Sequence, residues 1–489
     1  MRLNLNGKIN SLYVQSLCMM FFRGEKFPEI EENPRGFISV DLSRDKNGIL
    51  VKAHIEYDGR TSHCEHYEEL SENETDERTG KIATGHAVFG ACSELTGYLP
   101  PWGLLTGIRP SVVAQELISK YGTECAIDIL KRKYLVSDAK ARLAVEVAQN
   151  EALILNKYDD NTCSIYISIP FCPTRCTYCS FISYATKKLF ELMPSYVERI
   201  IKDIYTTFEL IKKAKLRLAT IYIGGGTPTT LDPNQLEMVL RAINDCLGGQ
   251  ALDEFTVEGG RPDTITAEKL EILKKYGVDR ISVNPQSLND EVLVKIGRKH
   301  TVKDFFDAYE LVKHSKIKIV NTDLIAGLDG DGIDSFKKTI NQIISLSPDN
   351  VTVHAFSVKK SAQILQDDHS IYNREGDYAV ESTEYAIEAL KSKGYIPYYM
   401  YRQKNTISDL ENVGYAKPGT FCAYNVLMMG DGHTVFGIGA GATTKLVKKT
   451  DGKAKILRIF SQKYPYEYLQ DNPNVEADVL EFFERGTNK

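Results

Sequence analysis

The sequence predicts an α/β protein: a partial (β/α)6 barrel, preceded by an N-terminal α+β domain and followed by a C-terminal mixed α/β extension. Three observations predict it. Residues 1–70 alternate apolar and polar positions between turn signals. Between about residues 164 and 355, six short β-rich runs alternate with stretches of helical periodicity. From about Ala355 onward the pattern becomes mixed. At 489 residues the chain exceeds one ordinary domain. We divide it into 1–155, hairpins followed by helices; 156–355, the barrel core; and 356–489, a domain that covers the substrate.

In the first domain, Gly36–Leu42 and Ile49–Ile55 alternate in the manner of half-buried strands. Lys46-Asn47-Gly48 and Asp58-Gly59 read as hairpin turns. The apolar run Leu12–Phe22 reads as a buried strand. It carries Gln15 and Ser16 and lacks a small-residue cleavage site, so it is not taken as a signal peptide. Residues 85–155 read as helices, broken by Leu99–Gly103 and Gly107–Pro110.

The core elements follow in order. The expected strands are Ile165–Ile169, Thr220–Ile223, Phe255–Val257, Arg280–Val283, Ile317–Leu324 and Val351–Val353. The helices between them include Gln235–Leu247, Ala267–Tyr276, Ser335–Leu346 and one starting at Met193. Strands separated by helices must run parallel with right-handed crossovers. Six such units fit an open barrel better than a closed eight-stranded one, and ligands belong at the carboxyl ends of the strands. Beyond them, Ser382–Lys391 reads as a helix, Tyr395–Gln403 is Tyr-rich and Gly437–Ala442 is Gly-rich.

Composition excludes several classes. Hydrophobic residues are 43%, charged residues 26% and the net charge is −5. No basic surplus points to nucleic acid, and no stretch approaches the ~20 apolar residues of a membrane span. No export signal is read in the sequence, so the expected compartment is the cytoplasm, where thiols stay reduced. Of 10 cysteines, Cys172, Cys176 and Cys179 crowd into eight residues. Their C-x3-C-x2-C spacing directly follows the first core strand. Three thiolates on one loop can each hold one iron of a cubane and leave the fourth iron open. A structural zinc site would need a fourth Cys or His nearby, and none follows.

The string Tyr166–Cys172, with Tyr178 and Phe181, resembles the signature of the HemN-like radical S-adenosylmethionine (SAM) family. The resemblance implies a [4Fe–4S] cluster on Cys172, Cys176 and Cys179. It also implies SAM bound at the open iron, and hydrogen-atom abstraction after one-electron cleavage of SAM. Gly224-Gly225-Gly226-Thr227 resembles the loop that meets the SAM amino group. Glu258 is similar to the carboxylate that faces the ribose. Gln286, Arg298 and Asp323 look like further SAM contacts, with Tyr166 and Tyr178 lining the site. Some positions depart from the family: Ser168 stands where His is common, Gly259-Gly260 replaces an acidic-Pro pair, Asn284-Pro285 precedes Gln286, and Ser180 follows the cluster where Gly-Cys is usual.

Thr106–Pro110, Tyr401–Asn405 and Glu411–Tyr415 resemble phrases of the HemZ-type coproporphyrinogen dehydrogenase branch. That branch implies oxygen-independent decarboxylation of coproporphyrinogen III to protoporphyrinogen IX. Arg402 is the candidate catalytic-site cation for substrate carboxylates, with Arg109 and Lys404 behind it. The implied partners are a tetrapyrrole and an electron donor such as flavodoxin or ferredoxin. Cys422–Met429 also resembles the haem-chaperone branch, with His433 nearby in sequence. Haem trafficking, or methyl transfer or ring opening on a tetrapyrrole, therefore stays open.

Overall fold

The structure is a computed structural model that describes residues 1–28, 34–72, 74–179, 184–357, 378–403, 406–450, 453–470 and 475–484. Over these residues the chain forms two compact units. The first contains Met1–Ala148, Asp368–Val380 and Met400–Glu411; the second contains Gln149–Asp367, Glu381–Tyr399 and Asn412–Lys489.

The first unit carries a four-stranded sheet of β1 (Arg2–Asn6), β2 (Gly36–Arg44), β3 (Gly48–Tyr57) and β4 (Arg60–Glu69), in that order. β2, β3 and β4 form the expected antiparallel hairpins. Asp58 and Gly59 make the β3–β4 turn at φ 48° and 75°, the left-handed pair that a two-residue hairpin requires. Asp45 shapes the β2–β3 turn by accepting the Asn47 and Gly48 amides on Oδ1 at 2.7 and 2.8 Å. β1, however, runs parallel to β2, and that pairing demands a crossover. The run Leu12–Phe22, expected as a strand, supplies it as the helix Ser11–Phe21. Asn10 caps the helix through the Tyr13 amide at 3.1 Å. Tyr13, Val14, Leu17 and Cys18 turn one face inward, a helical spacing. Val14, Leu17, Val40, Val51, Ile55 and Ala87 are all fully enclosed in the resulting core.

This unit also buries an ion pair. Lys140 Nζ donates to Glu411 Oε1 at 2.6 Å, and Trp102 Nε1 donates to Oε2 of the same carboxylate at 2.7 Å. Burial is tolerable here because the carboxylate and the ammonium satisfy each other.

The second unit is organised by β5 (Thr162–Ile169), β6 (Arg217–Gly225), β7 (Glu254–Glu258), β8 (Arg280–Ser282), β9 (Ile319–Ala326) and β10 (Asn350–Ala355). All six run parallel, each beside the next. Helices link them: Met193–Lys213, Pro233–Leu247, Ala267–Lys275 and Ile333–Leu346, as expected, and Val302–Ser315 between β8 and β9. Asp232 opens the second of these helices with a reciprocal capping box to Gln235.

Further strands extend the sheet on both sides. β12 (Glu411–Ala416) pairs antiparallel with β10, and β11 (Ile396–Arg402) lies beyond it. β13 (Thr434–Ile438) pairs parallel with β5, followed by the hairpin β14 (Thr443–Thr450) and β15 (Lys453–Phe460). The eleven-stranded order β11-β12-β10-β9-β8-β7-β6-β5-β13-β14-β15 does not close on itself. This is the partial barrel that the sequence predicts.

Alternation along the strands sorts the residues. Ile165, Ile167 and Ile169 of β5, Ile221 and Ile223 of β6, and Val257 of β7 are buried on one face. The opposite face carries Ser164, Tyr166 and Ser168, then Thr220, Tyr222 and Gly224, then Thr256 and Glu258. A polar sheet interior needs a reason, because unpaired polar groups there are costly.

Candidate functional site

The cysteine loop leaves the carboxyl end of β5. Its base is tied by backbone: Cys172 N–H donates to Tyr184 O at 3.1 Å, and Tyr184 N–H donates to Pro170 O at 2.8 Å. Thr177 N–H donates to Ile296 O at 3.0 Å, which fixes the loop against the segment holding Arg298. Cys179 N–H turns back to Cys176 O at 3.1 Å. Cys172 is buried, while Cys176 and Cys179 are half-buried. Burial pushes the Cys172 thiol up to about 11, against the lowering effect of its bond to Thr227. Burial also lifts the Tyr178 hydroxyl, with the neighbouring Cys176 adding to the rise. Ser180 and Phe181 lie outside the described residues.

The glycine run at the end of β6 sits directly under this loop. Gly226 N–H donates to Ile169 O and Thr227 N–H donates to Phe171 O, both at 2.8 Å. Thr227 Oγ1 lies 3.3 Å from Cys172 Sγ. A Cβ on Gly226 would fall 2.6 Å from Phe171 O, so this glycine admits the chain's own backbone. Gly225, at φ 110°, makes the turn. A Cβ on Gly224 would lie 3.0 Å from the Glu258 carboxylate. The sequence reading gave the whole run to a ligand; at Gly226, the close approach is to Phe171.

Glu258 ends β7 beside that run. Tyr222 Oη donates to its Oε1 at 2.6 Å. Solvent still reaches the carboxylate, but it lies deep among protein atoms. Burial, reinforced by Asp323, pushes it up to about 7, although the Tyr222 hydroxyl and the Gly225 amide pull the other way. Asp323 behaves differently. Burial alone would lift it, but His354 and the donors of Asn321 and Thr352 hold it below the usual carboxylate range. Asn284 Nδ2 donates to its Oδ2 at 2.7 Å, and His354 Nε2 stands 3.9 Å from the same oxygen.

Three tyrosines stack beside these carboxylates. The Tyr222 and Tyr424 rings lie 4.5 Å apart and nearly parallel, with Tyr166 at 6.2 Å from Tyr222 and 6.3 Å from Tyr424. The sequence reading placed Tyr166 here but missed Tyr222, Tyr424 and His354. Period-2 alternation on β6 and β10 marks Tyr222 and His354 as interior-facing; no sequence signal brings in Tyr424.

On the other side of the cysteine loop stand two arginines. Arg261 grips Asp263 with two bonds of 2.9 Å and also donates to Thr174 Oγ1 at 2.5 Å. Arg298 Nη2 donates to Gly260 O at 3.0 Å. Arg261 works against burial at the Cys172 thiol, and Arg298 does the same at the Tyr178 hydroxyl. Several buried atoms here have no partner among the described residues: Gln286 Oε1, Arg298 Nε, Thr177 Oγ1 and both ring nitrogens of His300. Burial, with Arg298 and Arg261 alongside, pushes His300 down to about 3. Gln286 also holds φ 69°, while its backbone bridges Asp323 O and the Ile325 amide. Strain and orphaned polar atoms at one strand end mark a place prepared for a ligand.

A sequence profile of the Radical SAM superfamily matches residues 166–343. The chain is 33% identical to the oxygen-independent coproporphyrinogen-III oxidase-like protein HemZ of Bacillus subtilis, over 96% of this chain and 95% of that protein. The chain belongs to the HemN-like family of radical SAM proteins. It is also 31% identical to the haem chaperone HemW of Bacillus subtilis, over 65% of this chain and 82% of that one. Coproporphyrinogen III oxidase (HemN) from Escherichia coli shares the fold at a TM-score of 0.51 and 20% identity, over 66% of this chain and 71% of that one.

Family membership gives this HemN-like chain its cofactors, a [4Fe–4S] cluster and SAM. The residues fit both groups. Among the described residues, no three His, Cys, Asp or Glu side chains converge on a single metal ion. A cubane does not ask for that, because each thiolate takes its own iron. The orphaned atoms of Gln286 and Arg298 offer an acceptor and a donor for a polar ligand beside the loop.

Other candidates fall elsewhere. Arg402 lies in the first unit, where its guanidinium donates to the carbonyls of Leu105, Gly107 and Asp409 and stacks over Trp102. A buried arginine needs such acceptors, so this one ties the phrase Thr106–Pro110 to Tyr401–Arg402 and is not left to grip a substrate carboxylate. Arg109 precedes the helix Pro110–Tyr121 in that unit, and Lys404 lies outside the described residues. His433 sits just before β13, at the amino end of the parallel sheet, with Nε2 2.8 Å from Ser164 Oγ. It is close to the cysteine motif neither in the fold nor in register. No described helix is long and apolar enough to cross a membrane.

Proposed function

We propose that this protein is a cytoplasmic radical SAM enzyme that oxidatively decarboxylates coproporphyrinogen III to protoporphyrinogen IX without oxygen. The observation that carries the reading is the junction at the carboxyl ends of β5 and β6. There Thr227 reaches Cys172 within 3.3 Å, and the half-buried carboxylates Glu258 and Asp323 stand across the next strands. The near full-length likeness to a coproporphyrinogen-III oxidase-like protein supports the choice of substrate.

Cys172, Cys176 and Cys179 would hold the cluster. Gly224–Thr227, Glu258, Gln286, Arg298 and Asp323 would hold SAM, with Tyr166 and Tyr178 enclosing it. When bound, the two groups supply one-electron cleavage of SAM and removal of a hydrogen atom from the substrate. The chain's own residues bind, orient and exclude water. Glu258, with a proton affinity near neutrality, accepts hydroxyl donors of the ribose, and Tyr222 fixes its orientation. Asp323 stays ionised through His354 and Asn284 and faces the same space. Each propionate loses a hydrogen atom from the carbon next to the ring, then carbon dioxide, and passes one electron to an acceptor.

The haem-chaperone reading draws on the HemW likeness. The placement of His433, buried at the opposite sheet end, removes its nearest histidine from that role. Anaerobic turnover of reconstituted protein with SAM, dithionite and coproporphyrinogen III separates the two. Loss of two carbon dioxide units with matching 5′-deoxyadenosine is expected. Tight haem binding with no substrate-stimulated 5′-deoxyadenosine would reverse the choice.

A further inference from the structure

Alternation along β10 sets Thr352 and His354 on one face of the strand. Thr352 Oγ1 donates to Asn321 Oδ1 at 3.2 Å. His354 lies one pleat nearer the carboxyl end, beside Asn412 of the neighbouring strand β12. Asn412 Oδ1 accepts the Ala355 amide at 3.1 Å, and this backbone donor decides which amide atom faces the ring. His354 Nδ1 stands 3.2 Å from the same oxygen. An amide oxygen has no proton to give, so Nδ1 must be the donor, and the tautomer is fixed.

The other ring nitrogen then faces Asp323. Nε2 is 3.9 Å from Asp323 Oδ2, and the two side chains are 26% and 21% exposed, open enough for a ligand to reach them. With Nδ1 already protonated, Nε2 presents a lone pair in the neutral ring and an N–H only in the imidazolium. A lone pair facing an ionised carboxylate is repelled, and an N–H is attracted. Two asparagines hold the same carboxylate: Asn284 Nδ2 donates to Oδ2 at 2.7 Å, and Asn321 Nδ2 donates to Oδ1 at 2.8 Å. Asn284 Oδ1 accepts the Asp323 amide in return at 3.1 Å. Glu258 feels the same imidazole, which works against its upward shift.

We infer that His354 is a positioning residue of the SAM site: Asn412 locks its Nδ1–H, and Nε2 orients Asp323 for the ligand. This inference rests on the function proposed above, which assigns Asp323 to SAM. A strand of the C-terminal extension, β12, thereby helps to shape a cofactor contact made from β9.

The test is SAM affinity, measured by anaerobic equilibrium dialysis on the full-length reconstituted protein, with cluster absorption as the check of folding. His354→Gln places an amide near the position of Nε2, and His354→Asn places one near Nδ1. The first variant can still donate to Asp323; the second can donate only to Asn412. SAM binding should therefore weaken about tenfold in His354→Asn, the effect of losing one donor to a charged group, and stay within about twofold of wild type in His354→Gln. The reverse order would make the ring a tie between β10 and β12 and overturn the inference. So would equal affinity in all three proteins, equal weakening in both variants, or loss of the cluster in both. Wild-type protein that assembles its cluster yet binds no SAM would instead remove the underlying radical SAM reading, and this inference with it.

Discussion

The two ends of the parallel sheet in the second unit are both polar, yet they are built differently. At the amino end, Ser164 Oγ meets Thr220 at 2.7 Å and His433 at 2.8 Å. Glu254 receives Cys422 Sγ and the amides of Ala423 and Tyr424 at 2.9–3.3 Å, with Arg280 at 3.5 Å. Arg280 in turn donates to Asn350 and to the carbonyls of Thr420 and Phe421, leaving only Nε unpaired. At the carboxyl end, Gln286, Arg298, Thr177 and His300 all keep buried atoms without partners. One end spends its polar groups on the chain, and the other holds them for something else. Polarity in a sheet interior is thus not itself a functional signal; unsatisfied polarity is.

This contrast can be broken most decisively at the cluster loop. Cys176→Ala should abolish cluster assembly and all SAM cleavage; an intact [4Fe–4S] absorption spectrum in that variant would refute the ligand assignment. Next in size is the amino end. Glu254→Ala strands Arg280 and unhooks residues 422–424, so chemical denaturation should register a loss of about 3–5 kcal/mol. A loss under ~1 kcal/mol would mean that the network contributes little. Glu258→Gln should then reduce SAM affinity by roughly 10–100-fold, the worth of a charged hydrogen bond, with the cluster still assembled. Unaltered affinity in equilibrium dialysis would move the ribose contact elsewhere.

The same residue has a pH signature in the unliganded protein. Burial raises its pKa in the folded protein to about 7, above the 4.5 of a free glutamate side chain. Its contribution to stability is therefore full below about pH 4.5 and is lost as pH rises through about 7. Glu258→Gln should remove that dependence, worth on the order of 2–3 kcal/mol, from melting curves taken across the window. A parallel pH dependence in both proteins would contradict the burial argument. The smallest effect is expected at His433: His433→Gln should leave haem affinity unchanged in a titration, since the ring faces Ser164 and not the site.

Much of this was legible from the sequence because local spacing carries it. The three cysteines, the glycine run and Glu258 each sit at a strand end, and the strands announce themselves by β-rich runs followed by helical periodicity. The helix Ser11–Phe21 was not legible. Leu12 and Met19 are exposed at 70% and 42%, so its apolar face has no polar counterpart to reveal the period. Arg402 looked like a substrate anchor because its acceptors, Leu105 and Gly107, lie almost three hundred residues away in sequence. Tyr222 and His354 are ordinary residues on their own strands, and register brings them to one site; Tyr424 comes from the helix Ala423–Met429, which no strand pattern aligns with them.

The central claim is that the ligand-binding chemistry belongs to the carboxyl end of the sheet. Anaerobic hydrogen exchange on the reconstituted protein, with and without SAM, tests it most directly. Added SAM should protect amides in 224–227, 258–261 and 284–286, with little change in 162–164, 217–220 and 422–424. Protection confined to the amino-end segments, or to the first unit, would contradict the account.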